Sequence, residues 1–309
     1  MRRILLTGSD GQVGQELQKT LESWGTVIGV GRNTLDLAQP AAIQQILHQV
    51  KPDLIVNAAA YTAVDRAETE PAAAEAINAI APAIMAESAQ QLGADLIHIS
   101  TDYVFDGQKN TPYTEQDSPN PVSVYGYTKL GGEQAIQQAW LHRPADRTNS
   151  YFILRTAWVY GVHGKSNFVK TMLKLGSERE QIRVVSDQLG TPTWSQHLAQ
   201  AIAQLIPKLT PEASGTYHFA NSGAASWYDF AIAIFEEAEQ LGFPLKVQSV
   251  IPITTAEYPT PAQRPAYSIL GCAKVSTLLE THPPHWKTAL RQMLIELRAN
   301  NAPLLKTKR

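Results

Sequence analysis

Three side chains in this sequence stand out for chemistry they could do together. Thr101 closes the run Leu96-Ile97-His98-Ile99-Ser100-Thr101, and Tyr125 and Lys129 follow in Tyr125-Gly126-Tyr127-Thr128-Lys129. Helical residues four apart share one face, one turn apart. A phenol near its ordinary pKa of about 10 is a weak acid-base partner at neutral pH, and a neighbouring ammonium favours its ionised form. Such a phenol can hand a proton to a carbonyl oxygen, while a threonine hydroxyl hydrogen-bonds the oxygen as charge develops on it. Tyrosine and lysine four apart also occur by chance in many helices, so the pair takes its meaning from the rest of the chain.

The amino-terminal segment provides that context. Thr7-Gly8-Ser9-Asp10-Gly11-Gln12-Val13-Gly14 places glycines at 8, 11 and 14 after a short apolar strand and at the start of a helix. Absent side chains allow close approach to a pyrophosphate, and free helix amides bind its charge. Gly8, Asp10, Gly11, Gln12, Val13 and Gly14 are therefore candidate dinucleotide contacts. The fingerprint expects an acid after the second strand to hold the ribose hydroxyls. Gly31-Arg32-Asn33 stands there instead, and Arg32 suits a 2′-phosphate. This favours NADPH, with NADH still open, and Arg32 as a solvated charge is the bland alternative. Asp36, with Leu37 beside it, could reach adenine or ribose. Asn57-Ala58-Ala59-Ala60 offers small residues for backbone approach to the cofactor, though Asn57 could equally satisfy a local turn.

The elements that must position these groups alternate between strand and helix. Strands are expected at Ile4 to Thr7, Thr26 to Val30, Leu54 to Val56, Leu96 to Ile99 and Tyr151 to Leu154. Helices are expected at Gln12 to Trp24, Ala41 to Val50, Ala72 to Leu92 (one long alanine-rich helix) and Tyr125 to Trp140. Short apolar strands in this rhythm indicate an α/β fold. The expectation is a Rossmann-like parallel sheet with helices on both faces and a smaller mixed C-terminal substrate-binding region. The singled-out residues fall at strand ends, which line one sheet edge. The expected division is a nucleotide-binding core over 1–160 with further sheet elements from about 181–225. Residues 161–180 and 226–299 form the substrate-binding region, and 300–309 a flexible tail. The polar stretch His142 to Ser150 should bulge on the surface. Pro252 to Pro265 should be a loop without regular hydrogen bonding, and Ser226 should cap the helix from Trp227.

Composition removes other classes. Lys and Arg total 26 against 28 Asp and Glu, a net charge of −2, which argues against a nucleic-acid binder. The single cysteine, Cys272, excludes an internal disulfide and suits a reducing cytoplasm. No apolar stretch approaches membrane-spanning length, so no membrane association is expected. The eight histidines are scattered, and His98, inside a strand, reads as a core residue.

Longer motifs carry a resemblance. They are Tyr61-Thr62-Ala63-Val64-Asp65, Ser100 to Gly107, Arg155-Thr156-Ala157-Trp158-Val159-Tyr160-Gly161, Asn167 to Met172, Asp187 to Thr193, Ser226-Trp227 and Tyr258 to Pro265. Through these the chain resembles the dTDP-4-dehydrorhamnose reductases of the extended short-chain dehydrogenase/reductase family, over about residues 2 to 297. The resemblance implies NADPH-dependent reduction of the C4 ketone of dTDP-4-dehydro-β-L-rhamnose, with NADH used by some members. It implies catalytic roles for Thr101, Tyr125 and Lys129, with Lys129 also on the nicotinamide ribose. Thr62, Val64, Asp102, Tyr103 and Trp158 would surround the sugar, and Trp158 could instead be a core residue. Arg264 would contact diphosphate or nucleotide, and Asn167 would contact a phosphate or cap the following helix. A dTDP-glucose 4,6-dehydratase and a 3,5-epimerase would act upstream. Some members form a magnesium-bridged homodimer, but Glu178, Glu180 and Glu296 read as solvated acids, and no catalytic metal is expected. Two alternatives stay open. A nucleotide-sugar epimerase or dehydratase shares the scaffold, although dehydratases place Asp-Glu beside the threonine and this chain has Asp102-Tyr103. A non-catalytic regulatory subunit resembling that of methionine adenosyltransferase is the other.

Overall fold

The computed structural model describes residues 1–144 and 147–305. Its first half holds β1 (Arg2–Thr7), α1 (Gln12–Leu21), β2 (Gly25–Val30), α2 (Pro40–Val50), β3 (Leu54–Asn57), α3 (Val64–Ala67) and α4 (Pro71–Glu75). A π-helical turn (Ala76–Ile80), α5 (Ala81–Leu92), β4 (Asp95–Thr101), α6 (Val124–Leu141) and β5 (Tyr151–Thr156) follow. The main sheet is six-stranded and parallel, in the order β2, β1, β3, β4, β5 and then Gly215–His218. Strand order reverses between β1 and β3, which opens a crevice at their carboxyl ends.

Alternation along the strands fills both faces. Ile4, Leu6, Leu54, Val56 and Leu154 join Leu17 and Leu21 of α1 and Leu198, Ile202 and Leu205 of α8 (Ser195–Leu205) in one core. Leu5, Ile55, Leu96 and Ile153 face the other way, onto Ile43 and Leu47 of α2, Met85 and Ala89 of α5 and Ile136 of α6. The period-two reversal of side chains makes two layers of helix around one sheet.

A second core lies beyond residue 160. Val169 and Met172 of α7 (Phe168–Glu178), Phe230 and Ile234 of α9 (Trp227–Gln240), and Leu290, Met293 and Leu294 of the last helix (Trp286–Leu305) pack together there. Ser226 caps α9 in a full capping box, accepting from the Asp229 amide at 3.0 Å while its own amide donates to Asp229 at 2.9 Å.

Several expectations need correction. The alanine-rich helix is interrupted by the π-helical turn, in which Asn78 is buried. Gln181–Val185 does not extend the main sheet but pairs in parallel with Ser249–Ile253. Pro252 therefore sits in a strand, which a two-stranded edge tolerates. Gly215–His218 is the second-half strand that joins the main sheet. The end of the stretch expected to bulge is buried: the Asn149 side chain donates to Ala94 O at 3.0 Å, and the Ser150 amide to Asp95 Oδ1 at 2.9 Å. Residues 145 and 146 of that stretch, and 306–309 of the expected tail, lie outside the described residues. The last helix runs past Asn300 to Leu305.

One buried ion pair fixes α6 on the sheet. Arg155 of β5 grips Glu133 of α6 through two parallel contacts, Nε–Oε1 at 2.9 Å and Nη2–Oε2 at 2.6 Å. Both side chains are almost fully buried, and the guanidinium also lies 5.1 Å over the Phe105 ring. Breaking a buried pair from one side strands a charge and costs about 3–5 kcal/mol, whereas replacing both partners by apolar groups can be neutral. Arg155→Met should lower unfolding free energy by about that amount, and adding Glu133→Leu should restore much of it. Urea unfolding of the four proteins in the cycle tests this. Additive losses would show that the pair does not anchor the helix.

Candidate active site

Thr101 is the last residue of β4 and caps the short 3-10 turn Asp102–Val104, accepting from the Tyr103 amide at 3.2 Å. Its hydroxyl donates to Asp102 Oδ1 at 3.0 Å. Tyr125 sits in the first turn of α6, whose free amides are met by Ser123 Oγ (from Gly126, 3.2 Å) and Glu68 Oε1 (from Val124, 2.9 Å). A Cβ at Gly126 would fall 2.3 Å from Tyr103 O, so glycine there lets α6 close onto the turn after β4. The Tyr103 and Tyr125 rings meet edge to face at 5.4 Å, with Val64 packed in the same cluster. Tyr125 is 9% exposed and Thr101 6%, so the pair sits at a nearly dry surface.

Burial dominates the electrostatics. It pushes the Tyr125 phenol up to about 12. Burial pushes Asp102 up to about 6, partly offset by the hydrogen bond from Thr101, and among the described residues Asp102 Oδ2 has no hydrogen-bond partner. Burial also draws Lys129 down to about 8, against the nearby Glu133 carboxylate. Lys129 does not reach the phenol as the helical spacing suggests. Its Nζ donates to Ile99 O at 2.7 Å and lies 3.2 Å from His98 Nε2. In this arrangement burial keeps the phenol protonated.

The dinucleotide motifs meet at the β1–β3 crevice. Gly8 has φ +70°, and a Cβ there would lie 2.8 Å from the Ala59 amide nitrogen. The glycine loop and Asn57-Ala58-Ala59-Ala60 are thus backbone to backbone, the cradle a pyrophosphate needs. Asn57 is fully buried and takes the turn role as well, with its Oδ1 accepting from Ala59 N at 3.3 Å and from Thr7 Oγ1 at 2.6 Å. Gly11 and Gly14 open α1, and Val13 packs against the core. Asp10 and Arg32 are exposed at the crevice rim. Asp36 is exposed and accepts locally from Ala38 N at 3.0 Å. Leu37 packs with Leu35, Ile43 and Leu47, so its side chain serves the core rather than a nucleotide.

Other candidates are engaged by the protein itself. Gln12 donates to Val159 O at 2.9 Å and accepts from Asn167 Nδ2 at 3.0 Å. Asn167 caps α7 through Lys170 N at 3.0 Å and also donates to Gly161 O, so of its two expected roles the capping one is present. Arg264 is not a free cation: it holds Asp65 in a fork, 3.0 and 2.9 Å, and donates to Thr260 Oγ1. This pair straps the 258–265 loop to the segment that carries Thr62 and Val64. Trp158 is half-buried, has φ +48°, and stacks on Trp227 with ring centroids 3.4 Å apart.

Two residues that sequence reading passed over hold the arrangement together. Asn78, in the π turn, accepts from Tyr61 N at 2.8 Å and donates to Tyr61 O and to Thr128 Oγ1. It clasps the Thr62 segment to the helix of Tyr125 and Lys129, and π turns recur at such places. His98 joins Asn57 to Lys129. Among the described residues, no group of three or more His, Cys, Asp or Glu could hold a metal ion.

Comparison with known proteins places this geometry. The RmlD substrate binding domain model matches residues 1–299. A dTDP-4-dehydrorhamnose reductase of Escherichia coli strain K12 is 41% identical over 300 residues, covering 95% of this chain and 97% of that protein. The crystal structure of dTDP-4-dehydrorhamnose reductase from Bacillus anthracis, in complex with NADP, superposes with a TM-score of 0.85 at 39% identity, covering 96% of this chain and 99% of that one. The chain belongs to the dTDP-4-dehydrorhamnose reductase family. A UDP-glucose 4-epimerase of Thermus thermophilus superposes with a TM-score of 0.79 at 17% identity, a likeness of fold alone.

Within this reductase-family site, Asp102 is the carboxyl whose titration should be visible. Its folded pKa lies above the unfolded value, so its proton-linked contribution to stability is complete below the unfolded pKa and is lost as pH rises through about 6. Asp102→Asn abolishes that loss. Thermal melts from about pH 4 to pH 8 should show the variant gaining on wild type as pH rises, by up to about 3 kcal/mol. Parallel stability curves would contradict an Asp102 carboxyl held neutral by burial.

Proposed function

We propose that this chain reduces the C4 ketone of dTDP-4-dehydro-β-L-rhamnose to dTDP-β-L-rhamnose with NADPH. One observation carries the reading: the Tyr125 ring packs on Tyr103, two residues past Thr101 at the carboxyl end of β4, on the sheet edge where Gly8 and Ala59 form the crevice. NADPH, when bound, supplies the hydride. The glycine loop and the start of α1 hold its pyrophosphate, Asn57 to Ala60 its nicotinamide half, and Arg32 its 2′-phosphate.

Tyr125 gives its proton to the oxygen of the reduced carbonyl, and Thr101 turns its hydroxyl from Asp102 to donate a hydrogen bond to that oxygen as charge builds. A phenol raised to about 12 is well suited to this direction. The developing alkoxide is a far stronger base than phenolate, so transfer runs downhill while the resting phenol keeps its proton. The hydrogen bond from Thr101 acts in a nearly dry setting, where it is worth more than in water. Val64, Tyr103 and Trp158 provide the apolar walls for the sugar, with Thr62 and Asp102 its polar contacts. Arg264 acts through Asp65, closing the loop over these walls, and Asn167 joins α7 to the glycine loop through Gln12.

Tyr103 stands where elimination would want a glutamate, which disfavours a dehydratase. The complete Thr101, Tyr125 and Lys129 set disfavours a regulatory subunit. The reading makes a dTDP-glucose 4,6-dehydratase and a 3,5-epimerase the suppliers of substrate through free intermediates. The lone thiol of Cys272 suits a cytoplasmic protein.

The test is turnover of dTDP-4-dehydro-β-L-rhamnose with NADPH and NADH in parallel. Tyr125→Phe should lower kcat by about 10²–10⁴-fold and leave cofactor affinity within about threefold. A folded variant with near-normal kcat would remove Tyr125 as proton donor. Arg32→Ala should lower the NADPH to NADH preference about tenfold, the loss of one charge-assisted phosphate contact. An unchanged ratio would assign the 2′-phosphate elsewhere.

A further inference from the structure

His98 is fully buried in β4, between Asn57 of β3 and Ile153 of β5. Its two ring nitrogens face two other nitrogens: Nδ1 lies 2.9 Å from Asn57 Nδ2, and Nε2 lies 3.2 Å from Lys129 Nζ. Proton positions in this chain follow from counting donors. The Ala59 amide can only donate, so the Asn57 atom facing it is the oxygen. Asn57 therefore turns its NH₂ to His98, and Nδ1 must accept. A neutral ring with a bare Nδ1 carries its proton on Nε2, which points at Lys129. An ammonium cannot accept that proton, but a neutral amine can, while still donating to Ile99 O at 2.7 Å.

Charging the ring instead would set N–H against the Asn57 NH₂, and burial alone already holds His98 below its ordinary range. The other ionisable group bearing on Lys129 is Glu133, one turn along α6, which favours the ammonium but is itself held by Arg155. We propose that at mildly alkaline pH His98 holds the resting Lys129 mostly as an uncharged amine, and that seating the cofactor there draws a proton from solvent onto Lys129. His98 is a positioning residue: it acts through Lys129 and ties that side chain, by way of Asn57 and Thr7, to both loops of the dinucleotide crevice. Ribose hydroxyls give Lys129 new acceptors, and the ammonium then becomes the better-satisfied form. The inference rests on reading Lys129 as a contact of the cofactor.

Calorimetry of NADPH binding at about pH 8.5, in two buffers of different ionisation heat, reads the proton directly. The 2′-phosphate, with a second pKa near 6, is already ionised there. Wild-type protein should take up about half a proton or more per NADPH bound. His98→Gln places an amide oxygen, an acceptor, where Nε2–H stood, so Lys129 is charged beforehand and uptake should fall at least about twofold. Binding without proton uptake in wild type, or equal uptake in His98→Gln, overturns the inference. Absence of NADPH binding to folded wild type overturns the cofactor reading and this inference with it. Should His98→Gln fail to fold, the ring of wild-type His98 decides by ¹⁵N NMR: a proton on Nε2 supports the inference, and a proton on Nδ1 overturns it.

Discussion

The Arg155–Glu133 pair sets the position of α6, and the proposed proton donor, Tyr125, rides on that helix with Lys129. Tyr125 and Lys129 lie in the two turns before Glu133, so a shift of α6 along the sheet would move the phenol away from Thr101. The pair is charged, buried and doubly bonded, and it accepts little variation in angle or distance. Close approach at Gly126 sets the other end of the helix. Between these two anchors, the Thr101–Tyr125 geometry follows from packing and needs no contact between tyrosine and lysine.

Dryness is the second constraint. Thr101, Asp102 and Lys129 are all nearly inaccessible to solvent, and each ionisable group moves toward its neutral form. Burial raises the acids and lowers the base, the pattern expected when desolvation outweighs local charge. A site that must bind a charged cofactor and a nucleotide sugar thus keeps little ionic charge of its own at the reacting centre. Charge is held at its edges, on exposed Arg32 and in the Asp65–Arg264 fork.

How much was legible in the sequence depended on the range of the signal. The glycine loop, the strand ends and the Ser226 cap are local patterns, and they appear where the spacing places them. The parallel sheet followed from the strand and helix rhythm, except where pairing is long-range. Nothing local distinguishes Gln181–Val185, which pairs with Ser249–Ile253, from Gly215–His218, which joins the main sheet. Asn78 was hidden in a run that scores as uninterrupted helix, and its value lies in Tyr61, 17 residues away. His98 looked like core because it is core, and its partners Asn57 and Lys129 are 41 and 31 residues distant. Arg264 is another long-range case: the partner that engages it, Asp65, lies in another segment of the chain.

Trp158 shows what the site tolerates for its geometry. A bulky residue with φ +48° costs of order 1–3 kcal/mol and persists only where surroundings over-determine it. Here Trp227 stacks on the indole, a Cβ at Gly190 would fall 2.4 Å from the ring, and Trp158 O accepts from Thr193 at 3.1 Å. Those contacts come from two segments of the second half of the chain, and Trp158 itself lies two residues past the end of β5. The strained turn is therefore where the second core reports its position to the sheet edge. A relaxed backbone at 158 would move the indole off Trp227 and loosen the tie between the second core and the end of β5.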